Sequence, residues 1–475
     1  MNIMNTNSSN NFSTENLIFD TEIIRKFDVS GPRYTSYPTA DRFTNDFTPE
    51  QAKIALQNRD KNSPLSLYIH IPFCNTVCYY CACNKIITKN HSFSQEYLQY
   101  VFKELQLQHK LLNEQKTDII QLHFGGGTPT FLSDEEMTLL ITEIKKYFNF
   151  LPHGEYSIEV DPRKVNESTV KLLAELGFNR MSVGVQDFDE KVQVAVNRIQ
   201  SEAETKLVID AAKKYGFHSI SIDLIYGLPF QSVAGFNRTL DRVLAMNPDR
   251  LSVYNYAHLP QMFMPQRRIN ADDLPHPEEK LAILSSAIQK LTAAGYVFIG
   301  MDHFAKPDDE LAIAQRERRL HRNFQGYSTH ANCDMLSVGI SSISNIGGCY
   351  YQNQKLQETY YNAINSHPDE LPIFRGYQLD ADDLLRRQII QQLMCHFELD
   401  FAQIEAKATT NIKFREYFAE ELASLQEMQQ HKLLDISADK IVVLPAGRLL
   451  VRVIAMVFDK YLRNRQKAGT FSKVI

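Results

Sequence analysis

The chain has 475 residues, of which 44% are hydrophobic and 23% are charged, and it carries a net charge of -5 at pH 7. This length predicts two or three folded units with a sizeable core. The acidic balance argues against a broad nucleic-acid-binding surface, so an anionic ligand would have to meet particular Arg or Lys side chains.

The first residues, MNIMNTNSSNNFSTEN, are polar and rich in Asn and Ser, and we predict a disordered tail over 1–17. They show neither the basic start nor the apolar stretch of a secretory signal. The later apolar run LLVRVIAMVF contains Arg452 and is too short to cross a membrane, which takes roughly 20 apolar residues. The sequence therefore predicts a cytoplasmic protein with no membrane span.

An ordered extension is predicted over 18–60. Its segment FDVSGPRYTSYPTADRF contains Pro and Gly residues that break a helix, and Tyr34, Tyr37 and Phe43 can dock it onto the main body. We hypothesise that this extension folds over the functional site of the domain that follows.

Six short runs rich in β-branched and aromatic residues come next, separated by stretches of helical periodicity. The runs are LSLYIHI, IIQLHF, YSIEV, RMSVGV, SISIDLIY and RLSVYNY. Repeated β/α units predict parallel strands joined by right-handed crossovers, with helices outside. Six units rather than eight predict an α/β fold with a partial, open (β/α)6 barrel over 61–374, whose working face lies at the carboxyl ends of the strands.

After the sixth unit, the chain is expected to extend the sheet and then to become mostly helical. The helix around EEKLAILSSAIQKLTAAG and the strand YVFIGMDHF are predicted to extend the sheet. Beyond about residue 375 the pattern is mostly helical, with LLDISADKIVVLP predicted as one hairpin. We therefore predict a separate, mostly helical domain over 375–475. A winged-helix nucleic-acid module is an alternative for this region, which the net acidity disfavours.

The motif IPFCNTVCYYCACNK places Cys74, Cys78 and Cys81 directly after the first strand, with Cys83 two residues later. Seven cysteines, an odd number, favour a metal or cluster site over a disulfide framework. Three thiolates can bind three irons of a [4Fe-4S] cluster and leave the fourth iron open, whereas electron-transfer clusters usually close it with a fourth Cys. The alternative is a structural zinc site, which needs four ligands and would require Cys83.

The other predicted strands also end in glycine or polar residues. The second runs into GGGTPT, where glycines let the backbone approach a ligand, although a tight turn explains the same pattern. The polar residues at the next strand ends are Glu159, Gln186, Asp223, and Tyr256 with His258. One such residue is more often a helix cap. Because they recur at four successive strand ends, we predict a single site at this face.

Several motifs together resemble the oxygen-independent coproporphyrinogen III oxidase family of the radical S-adenosylmethionine (SAM) superfamily. They are LYIHIPFCNTVCYYCACNK, HFGGGTPT, SIEVDPR, SVGVQDFDEKVQ, IDLIYGLP, SVYNYAHLP, GMDHFAKPDDELA and HRNFQGYST. The resemblance implies oxidative decarboxylation of two propionate side chains of coproporphyrinogen III to vinyl groups, giving protoporphyrinogen IX in haem biosynthesis. It also implies that a 5'-deoxyadenosyl radical made from SAM does this without oxygen.

The resemblance further implies one [4Fe-4S] cluster, held by Cys74, Cys78 and Cys81, and two bound SAM molecules. The positions that match the family's cofactor contacts are Tyr68, Tyr80, Gly126, Gly127, Thr128, Glu159, Gln186, Arg198, Asp223, Ala257 and Ile343. Cys83 belongs to the C-x3-C-x2-C-x-C pattern of the oxidases and is implied to be catalytic. The related haem chaperones and haem-degrading radical enzymes resemble the family without this residue, and they are the alternative functions.

A substrate with four carboxylates needs cationic contacts, and Arg pairs with carboxylates more directionally than Lys does. Arg33 in GPRYTSYP and Arg322 in HRNFQGY are the candidate substrate contacts, although each also fits an ordinary salt bridge. The implied reaction needs an electron donor and an electron acceptor that the sequence does not identify. The family implies a monomer.

Overall fold

The computed structural model describes residues 12–14, 16–113, 116–330, 333–462, 471 and 473–475. The described strands, in chain order, are β1 (Phe12–Ser13), β2 (Ile18–Phe19), β3 (Leu65–Ile71), β4 (Phe73–Cys74), β5 (Ile86–Ile87), β6 (Thr117–Gly126), β7 (Phe148–Val160), β8 (Arg180–Gln186), β9 (Ser219–Tyr226), β10 (Arg250–Asn255), β11 (Val297–Gly300), β12 (His303–Ala305), β13 (His321–Asn323), β14 (Gly326–Ser328), β15 (Asp334–Val338), β16 (Ile343–Ile346), β17 (Cys349–Asn353), β18 (Ile373–Gln378), β19 (Glu398–Asp400), β20 (Leu434–Ile436) and β21 (Lys440–Val443). The described α-helices are α1 (Thr21–Phe27), α2 (Pro49–Gln57), α3 (Ser92–Leu112), α4 (Asp134–Tyr147), α5 (Glu167–Leu176), α6 (Glu190–Ala195), α7 (Glu202–Lys214), α8 (Val233–Ala245), α9 (Pro277–Ala293), α10 (Glu310–Arg316), α11 (Gln357–Ser366), α12 (Ala381–His396), α13 (Phe401–Lys407), α14 (Phe414–Tyr417), α15 (Ala419–Ser424), α16 (Gln426–Gln430) and α17 (Val451–Met456).

A twelve-stranded sheet forms the body of the molecule, in the order β11-β12-β10-β9-β8-β7-β6-β3-β15-β16-β17-β18. Strands β3, β6, β7, β8, β9 and β10 are parallel neighbours, which confirms the six predicted β/α units. β15 adds a parallel strand beside β3, and β16, β17 and β18 continue the sheet in antiparallel fashion. Among the described strands, β11 and β18 do not pair with each other, so the barrel is open as predicted.

The two faces of the parallel strands differ in polarity. Val183, Ile222 and Val253 belong to the apolar core, whereas alternate residues of the same strands carry polar side chains. The inward-facing serines are Ser157, Ser182, Ser219, Ser221 and Ser252, and they line a cavity of about 150 Å³ inside the barrel. Since side chains alternate between the faces of a strand, this pattern places helices outside and polar groups inside.

The strand predicted as YVFIGMDHF is instead an antiparallel hairpin of β11 and β12. The chain turns at Met301, whose φ is 54°, a left-handed conformation that interrupts an extended strand. β12 pairs with β10, so the hairpin still extends the sheet as expected.

A second hairpin, β13 and β14, is separate from the main sheet, and its residues Gln325, Tyr327 and Ser328 line the cavity inside the barrel. Its Ser328 hydroxyl accepts a hydrogen bond from Gln121 of β6 at 2.8 Å. The Tyr327 ring lies edge-on to His303 of β12, with 5.2 Å between the ring centroids. The Tyr327 hydroxyl donates to the Met394 carbonyl oxygen at 3.0 Å, which connects the hairpin to α12.

The segment 18–60 packs against the C-terminal region. Tyr34 and Tyr37 are buried, and the Tyr34 hydroxyl donates to Asp459 at 3.0 Å. β1 pairs with β2 and Leu17 is buried, so ordered structure begins inside the tail predicted over 1–17. The rest of that tail, residues 1–11 and 15, lies outside the described residues.

The C-terminal region contains helices α12 to α17 and a small sheet in the order β19-β21-β20. The predicted hairpin LLDISADKIVVLP corresponds to β20 and β21, with β19 as an unpredicted third strand. The main sheet continues to Gln378, so the boundary predicted at 375 falls inside β18, and the helical part begins at Ala381. No described helix combines the length and apolarity that crossing a membrane requires.

Candidate active site at the carboxyl ends of the strands

The three cysteines of the C-x3-C-x2-C motif lie on one loop at the carboxyl end of β3. Cys74 ends β4, whose pairing with β5 fixes the start of the loop. Cys78 is buried and Cys81 is half-buried. Asn197 holds the loop by donating from its side-chain amide to the Val77 carbonyl oxygen at 2.8 Å. The fold therefore presents the three thiols from a single anchored loop.

Aromatic residues anchor the same loop. The Tyr79 N–H donates to the Val196 carbonyl oxygen at 2.9 Å, and the Tyr80 carbonyl oxygen accepts from Gln266 at 3.1 Å. Phe73 is fully buried, while Tyr79 and Tyr80 pack on an apolar cluster that includes Val196. The predicted residue Tyr80 therefore lies beside the cysteines and helps to keep water from them.

Hydrogen-bond donors surround two of the thiols. Thr128 Oγ1 donates to Cys74 Sγ at 3.4 Å, and Arg198 Nη1 and Arg163 Nη2 donate to Cys78 Sγ at 3.7 and 3.9 Å. Such donors stabilise thiolates and tune a metal centre. Thr128 and Arg198 are among the predicted residues, whereas Arg163 is not, although it stands in the motif SIEVDPR.

Asp161 balances the charge of these arginines. Its Oδ2 lies 2.5 Å from Arg163 Nη2 and 3.2 Å from Arg198 Nη1. Burial opposes ionisation of this carboxyl, but the two arginines lower the pKa of Asp161 to about 2. Asp161 is a second residue that the sequence analysis misses. The sequence feature that could have identified Asp161 is its position two residues after Glu159, because side chains two residues apart lie on the same face of an extended chain.

Cys83 lies at the exposed edge of the cysteine loop. Its hydrogen bond to the Cys81 thiol is the main cause that lowers the pKa of Cys81 to about 6. Lys85 Nζ donates to the carbonyl oxygens of Cys81 and Cys83, at 3.0 and 3.2 Å, and so fixes the backbone between them. The structure therefore brings the fourth cysteine of the motif against the third.

The GGG turn brings the end of β6 against the cysteine loop. The Gly127 N–H donates to the Ile71 carbonyl oxygen at 2.8 Å, and a Cβ at Gly127 would meet the Pro72 carbonyl oxygen at 2.6 Å. Gly126 has φ of 115°, and a Cβ there would meet the His70 ring at 2.5 Å. Only glycine fits these two positions, so the tight turn also forms a cradle of exposed backbone.

Tyr68, His123 and Glu159 form a polar group next to this turn. The Tyr68 and His123 rings stack with 5.8 Å between their centroids, and His123 Nε2 lies 3.4 Å from Glu159 Oε1. The Gly126 N–H donates to Glu159 Oε2 at 3.3 Å. Burial opposes ionisation of Glu159, but the hydrogen bonds of His123 and Gly126 hold its pKa below the ordinary value. Glu159 is therefore an acceptor for hydroxyl or ammonium donors of a ligand.

The remaining predicted cofactor residues lie on neighbouring strands. Gln186 ends β8 with φ of 69°, which is uncommon for a residue other than glycine. Asp223 of β9 accepts a hydrogen bond from Ser182 at 2.8 Å, and burial raises its pKa to about 6. Ala257 follows β10, and Ile343 begins β16, two strands from Tyr68.

Arg33 and Arg322 lie close together but in different surroundings. Arg33 forms an ion pair with Asp302 and stands over the Tyr254 ring, so it has the partner of an ordinary salt bridge. Arg322 is 3% exposed, and its Nε donates to the Arg33 carbonyl oxygen at 3.3 Å. Within the described part of the chain, Arg322 Nη1 has no hydrogen-bond partner. Arg322 therefore has donor capacity that the protein itself does not use.

The donor set at this edge fits an iron-sulfur cluster with a polar ligand beside it. No three His, Cys, Asp or Glu side chains of the described residues are grouped to hold a single metal ion. A [4Fe-4S] cluster does not need such a group, because its thiolate ligands bind different irons. Two buried polar atoms near this edge, Arg198 Nε and Asn255 Oδ1, lack a partner among the described residues, as expected where a polar ligand binds.

Comparisons with known proteins agree with this geometry. Residues 68–243 match the Radical SAM superfamily model, and residues 379–450 match the HemN C-terminal domain model. The chain is 50% identical to the oxygen-independent coproporphyrinogen III oxidase of Pseudomonas aeruginosa, over 96% of this chain and 99% of that protein. It is 47% identical to the Escherichia coli protein of the same name, over 98% of this chain and 100% of that protein.

A solved structure gives the same result. The coproporphyrinogen III oxidase (HemN) of Escherichia coli, a radical SAM enzyme, matches with a TM-score of 0.89 and 45% identity, over 94% of this chain and 100% of that chain. Because both the sequence and the fold agree over nearly the full length, the chain belongs to the oxygen-independent coproporphyrinogen III oxidase family of the radical SAM superfamily.

Proposed function

We propose that this protein catalyses the oxygen-independent oxidative decarboxylation of two propionate side chains of coproporphyrinogen III to vinyl groups, giving protoporphyrinogen IX in haem biosynthesis. The observation that carries the proposal is the loop of Cys74, Cys78 and Cys81 beside the GGG turn, at the carboxyl edge of an open barrel. Relatives of this name at 45–50% identity over almost the whole chain support it.

Membership of the radical SAM superfamily implies a [4Fe-4S] cluster and SAM as cofactors. We assign one cluster to Cys74, Cys78 and Cys81, whose three thiolates would hold it and would leave one iron available to SAM. We further propose two SAM molecules at this edge of the barrel. The residues assigned to them are Tyr68, Tyr80, Gly126, Gly127, Thr128, Glu159, Gln186, Arg198, Asp223, Ala257 and Ile343.

When bound, these cofactors would supply a radical able to abstract a hydrogen atom from a propionate β-carbon, and release of carbon dioxide with formation of the vinyl group would need an acceptor for one electron. The chain's own residues bind the cofactors and exclude water from the site. Thr128, Arg163 and Arg198 hold the thiol environment fixed, and Glu159 offers a carboxylate to a ligand hydroxyl or ammonium group. The buried Phe73 side of the loop excludes water, which protects a reactive intermediate from side reactions.

We propose Arg322 as a contact for a substrate carboxylate. Its support is the buried Nη1 that lacks a partner among the described residues, because an unused charged donor in a protein interior is costly unless a ligand satisfies it. Arg33 is also proposed as a substrate contact, but it would have to share its guanidinium with Asp302.

We propose that the extension 18–60 covers the substrate entrance, and the ion pair of Arg33 with Asp302 beside β12 supports this. We also propose a cytoplasmic monomer that exchanges electrons with a separate donor and a separate acceptor.

An anaerobic turnover experiment tests the function. The cluster is reconstituted, reductant, SAM and coproporphyrinogen III are added, and the products are followed by mass spectrometry. We expect loss of two carboxyl groups from the porphyrinogen. Cleavage of SAM with consumption of haem, and with no change in the porphyrinogen, would instead assign a haem-acting relative.

Cys83→Ser tests the proposed catalytic role of Cys83. We expect this variant to keep its iron and to cleave SAM, but to lose decarboxylation by about a hundredfold or more, as is usual when a single group that acts in the transition state is removed. The matched control is Cys349→Ser, a change at a buried free cysteine that is not on the cysteine loop and whose donation to the Ile346 carbonyl oxygen at 3.1 Å a serine can keep. Equal decarboxylation by both variants would remove Cys83 from the mechanism.

A further inference from the structure

A second cavity, separate from the cysteine loop, lies beside the amino ends of β3 and β15. It is lined there by Pro64 and Asp334, and on its other sides by the β13–β14 hairpin and by residues of α12 and α13. Its volume is about 1190 Å³, which exceeds the range of roughly 300–1,000 Å³ that is usual for small-molecule pockets. The cavity is therefore large enough for a ligand of tetrapyrrole size.

The lining of this cavity is basic in a chain whose net charge is -5. Six cationic side chains face four carboxylates there. The cationic residues are Arg59, Arg318, Arg319, Arg322, Arg387 and Lys407. A local excess of positive charge in a concave, partly desolvated site attracts and holds an anion.

Two of these arginines form no close ion pair with a carboxylate among the described residues. Arg318 pairs with Glu398 at 2.8 Å, whereas Arg387 contacts Asn345 Oδ1 at 3.5 Å and interacts with the charge of Asp334 without a direct ion pair. Arg322 is almost fully buried, and its Nη1 has no partner in the described part of the chain. Planar guanidinium groups bind carboxylates through paired hydrogen bonds, so these two side chains are the anion-binding elements of the cavity.

The same cavity also offers an aromatic side chain. Phe324 is half-buried and lines the cavity, with its ring perpendicular to that of the buried Tyr350 at 6.0 Å between centroids. Arginines that receive carboxylates next to aromatic faces match a macrocycle that carries acidic side chains.

We propose that this cavity is a docking site for the propionate carboxylates of a tetrapyrrole, held by Arg322 and Arg387. The inference deepens the proposed function and rests on it for the class of ligand. Arg322 connects the cavity to the reaction site, because its guanidinium stands 4.8 Å from the centroid of the Tyr327 ring, which lines the barrel interior. A tetrapyrrole bound here lies on the far side of the β13–β14 hairpin residues that face the barrel.

Binding of coproporphyrin III to the anaerobic holoenzyme, followed by porphyrin fluorescence, tests the site. We expect Arg387→Gln to weaken binding by about tenfold or more and Arg387→Lys to weaken it less, because a charged hydrogen bond contributes roughly 1.5–3 kcal/mol. SAM cleavage without porphyrinogen should not change, which separates a binding effect from loss of structure. Arg238→Gln, on the outer helix α8, is the control with unchanged binding.

Binding of protoporphyrin IX, which has two carboxylates instead of four, shows whether the cavity recognises the substrate or the carboxylates that substrate and product share. If Arg387→Gln weakens binding of coproporphyrin III alone, the cavity is assigned to the substrate. If it weakens binding of both porphyrins equally, the cavity is assigned to carboxylates that substrate and product share. Native affinity of Arg387→Gln for coproporphyrin III overturns the proposal. Turnover of coproporphyrinogen III by the native protein is measured separately, so failure of the proposed function and failure of this site give different results.

Discussion

Arg198 is the residue that connects most of the parts of the candidate active site. It donates to Cys78 Sγ, forms an ion pair with Asp161, and donates to the Gly184 carbonyl oxygen at 2.6 Å. It reaches these partners from a position after α6, more than a hundred residues beyond Cys78. One buried side chain therefore fixes the cysteine loop relative to two strand ends.

Replacement of Arg198 by Met is expected to reduce the free energy of unfolding by about 3–5 kcal/mol, because it leaves Asp161 buried with one cationic partner fewer. Anaerobic urea unfolding measures the change. The matched control is Arg238→Met, since Arg238 pairs with Asp189 at the surface and its side chain is 61% exposed. The control should lose about 1 kcal/mol or less. Similar losses in both variants would contradict the role given to Arg198.

At the scale of residues, the sequence predicts functional residues whose motif lies within a few consecutive positions. Cys74, Cys78 and Cys81 follow from spacing alone, and the glycines of the turn follow from their need for close backbone approach. Asp161 and Arg163 do not, because the contacts that place them in the site, to Arg198 and to Cys78, come from other segments of the chain. Arg33 and Arg322 show the limit most clearly, since only the fold reveals that one has a carboxylate partner and the other has an unused donor.

At the scale of elements, Glu104 connects α3 to three other parts of the sheet and its cover. Its carboxylate accepts hydrogen bonds from Tyr360 of α11 at 2.5 Å, from Asn353 of β17 at 2.7 Å and from the Gly339 N–H at 2.9 Å. Burial raises the pKa of Glu104 to about 7, although these donors oppose the rise. The helix is therefore attached to the sheet through a group that titrates near neutral pH.

Glu104→Gln is expected to remove a pH dependence of stability. Between its ordinary pKa of 4.5 and about 7, the folded protein holds a proton at Glu104 that the unfolded chain has lost, so stability falls as pH rises through this window. The difference in unfolding free energy between native protein and variant should change by about 2–3 kcal/mol from pH 5 to pH 7.5. Urea unfolding at the two pH values measures it, with the exposed Glu278→Gln as the control. A difference that is the same at both pH values would contradict the prediction.

The sequence predicts the elements with strong periodicity and misses the short ones. The six parallel strands are predicted because their outer faces are continuous runs of apolar residues at every second position. The break between β11 and β12 is missed because one glycine, Gly300, with φ of 147°, is a weak turn signal, and Met301 after it takes a left-handed conformation that its residue type does not predict. β13 is three residues of polar character, His321–Asn323, and it has no hydrophobic alternation that would predict a strand.

At the scale of the whole molecule, Arg452 joins the two ends of the chain. Its side chain is buried and donates to the carbonyl oxygens of Pro32 at 3.1 Å and Val474 at 3.2 Å, and also to Gly31. One apolar core extends from Leu17 to Phe458. The barrel, the extension and the C-terminal region are therefore expected to unfold together.

Arg452→Met is expected to loosen the extension, because it leaves three buried carbonyl oxygens without their donor. Hydrogen exchange over residues 28–38 should accelerate by about tenfold or more relative to the native protein. Arg448→Met is the control, since Arg448 lies one helical turn earlier and stands over the Phe397 ring instead. Unchanged protection of residues 28–38 would show that other contacts hold the extension.

The β13–β14 hairpin has a consequence for how this scaffold can be altered. Among the described residues it joins the barrel through side chains such as Gln121 and Ser328 rather than through the backbone ladder of the main sheet. The space between this hairpin and the barrel strands therefore does not depend on the register of the strands in the main sheet. Redesign of this hairpin alone can admit a larger or a smaller ligand while the cysteine loop and its anchoring strands keep their geometry.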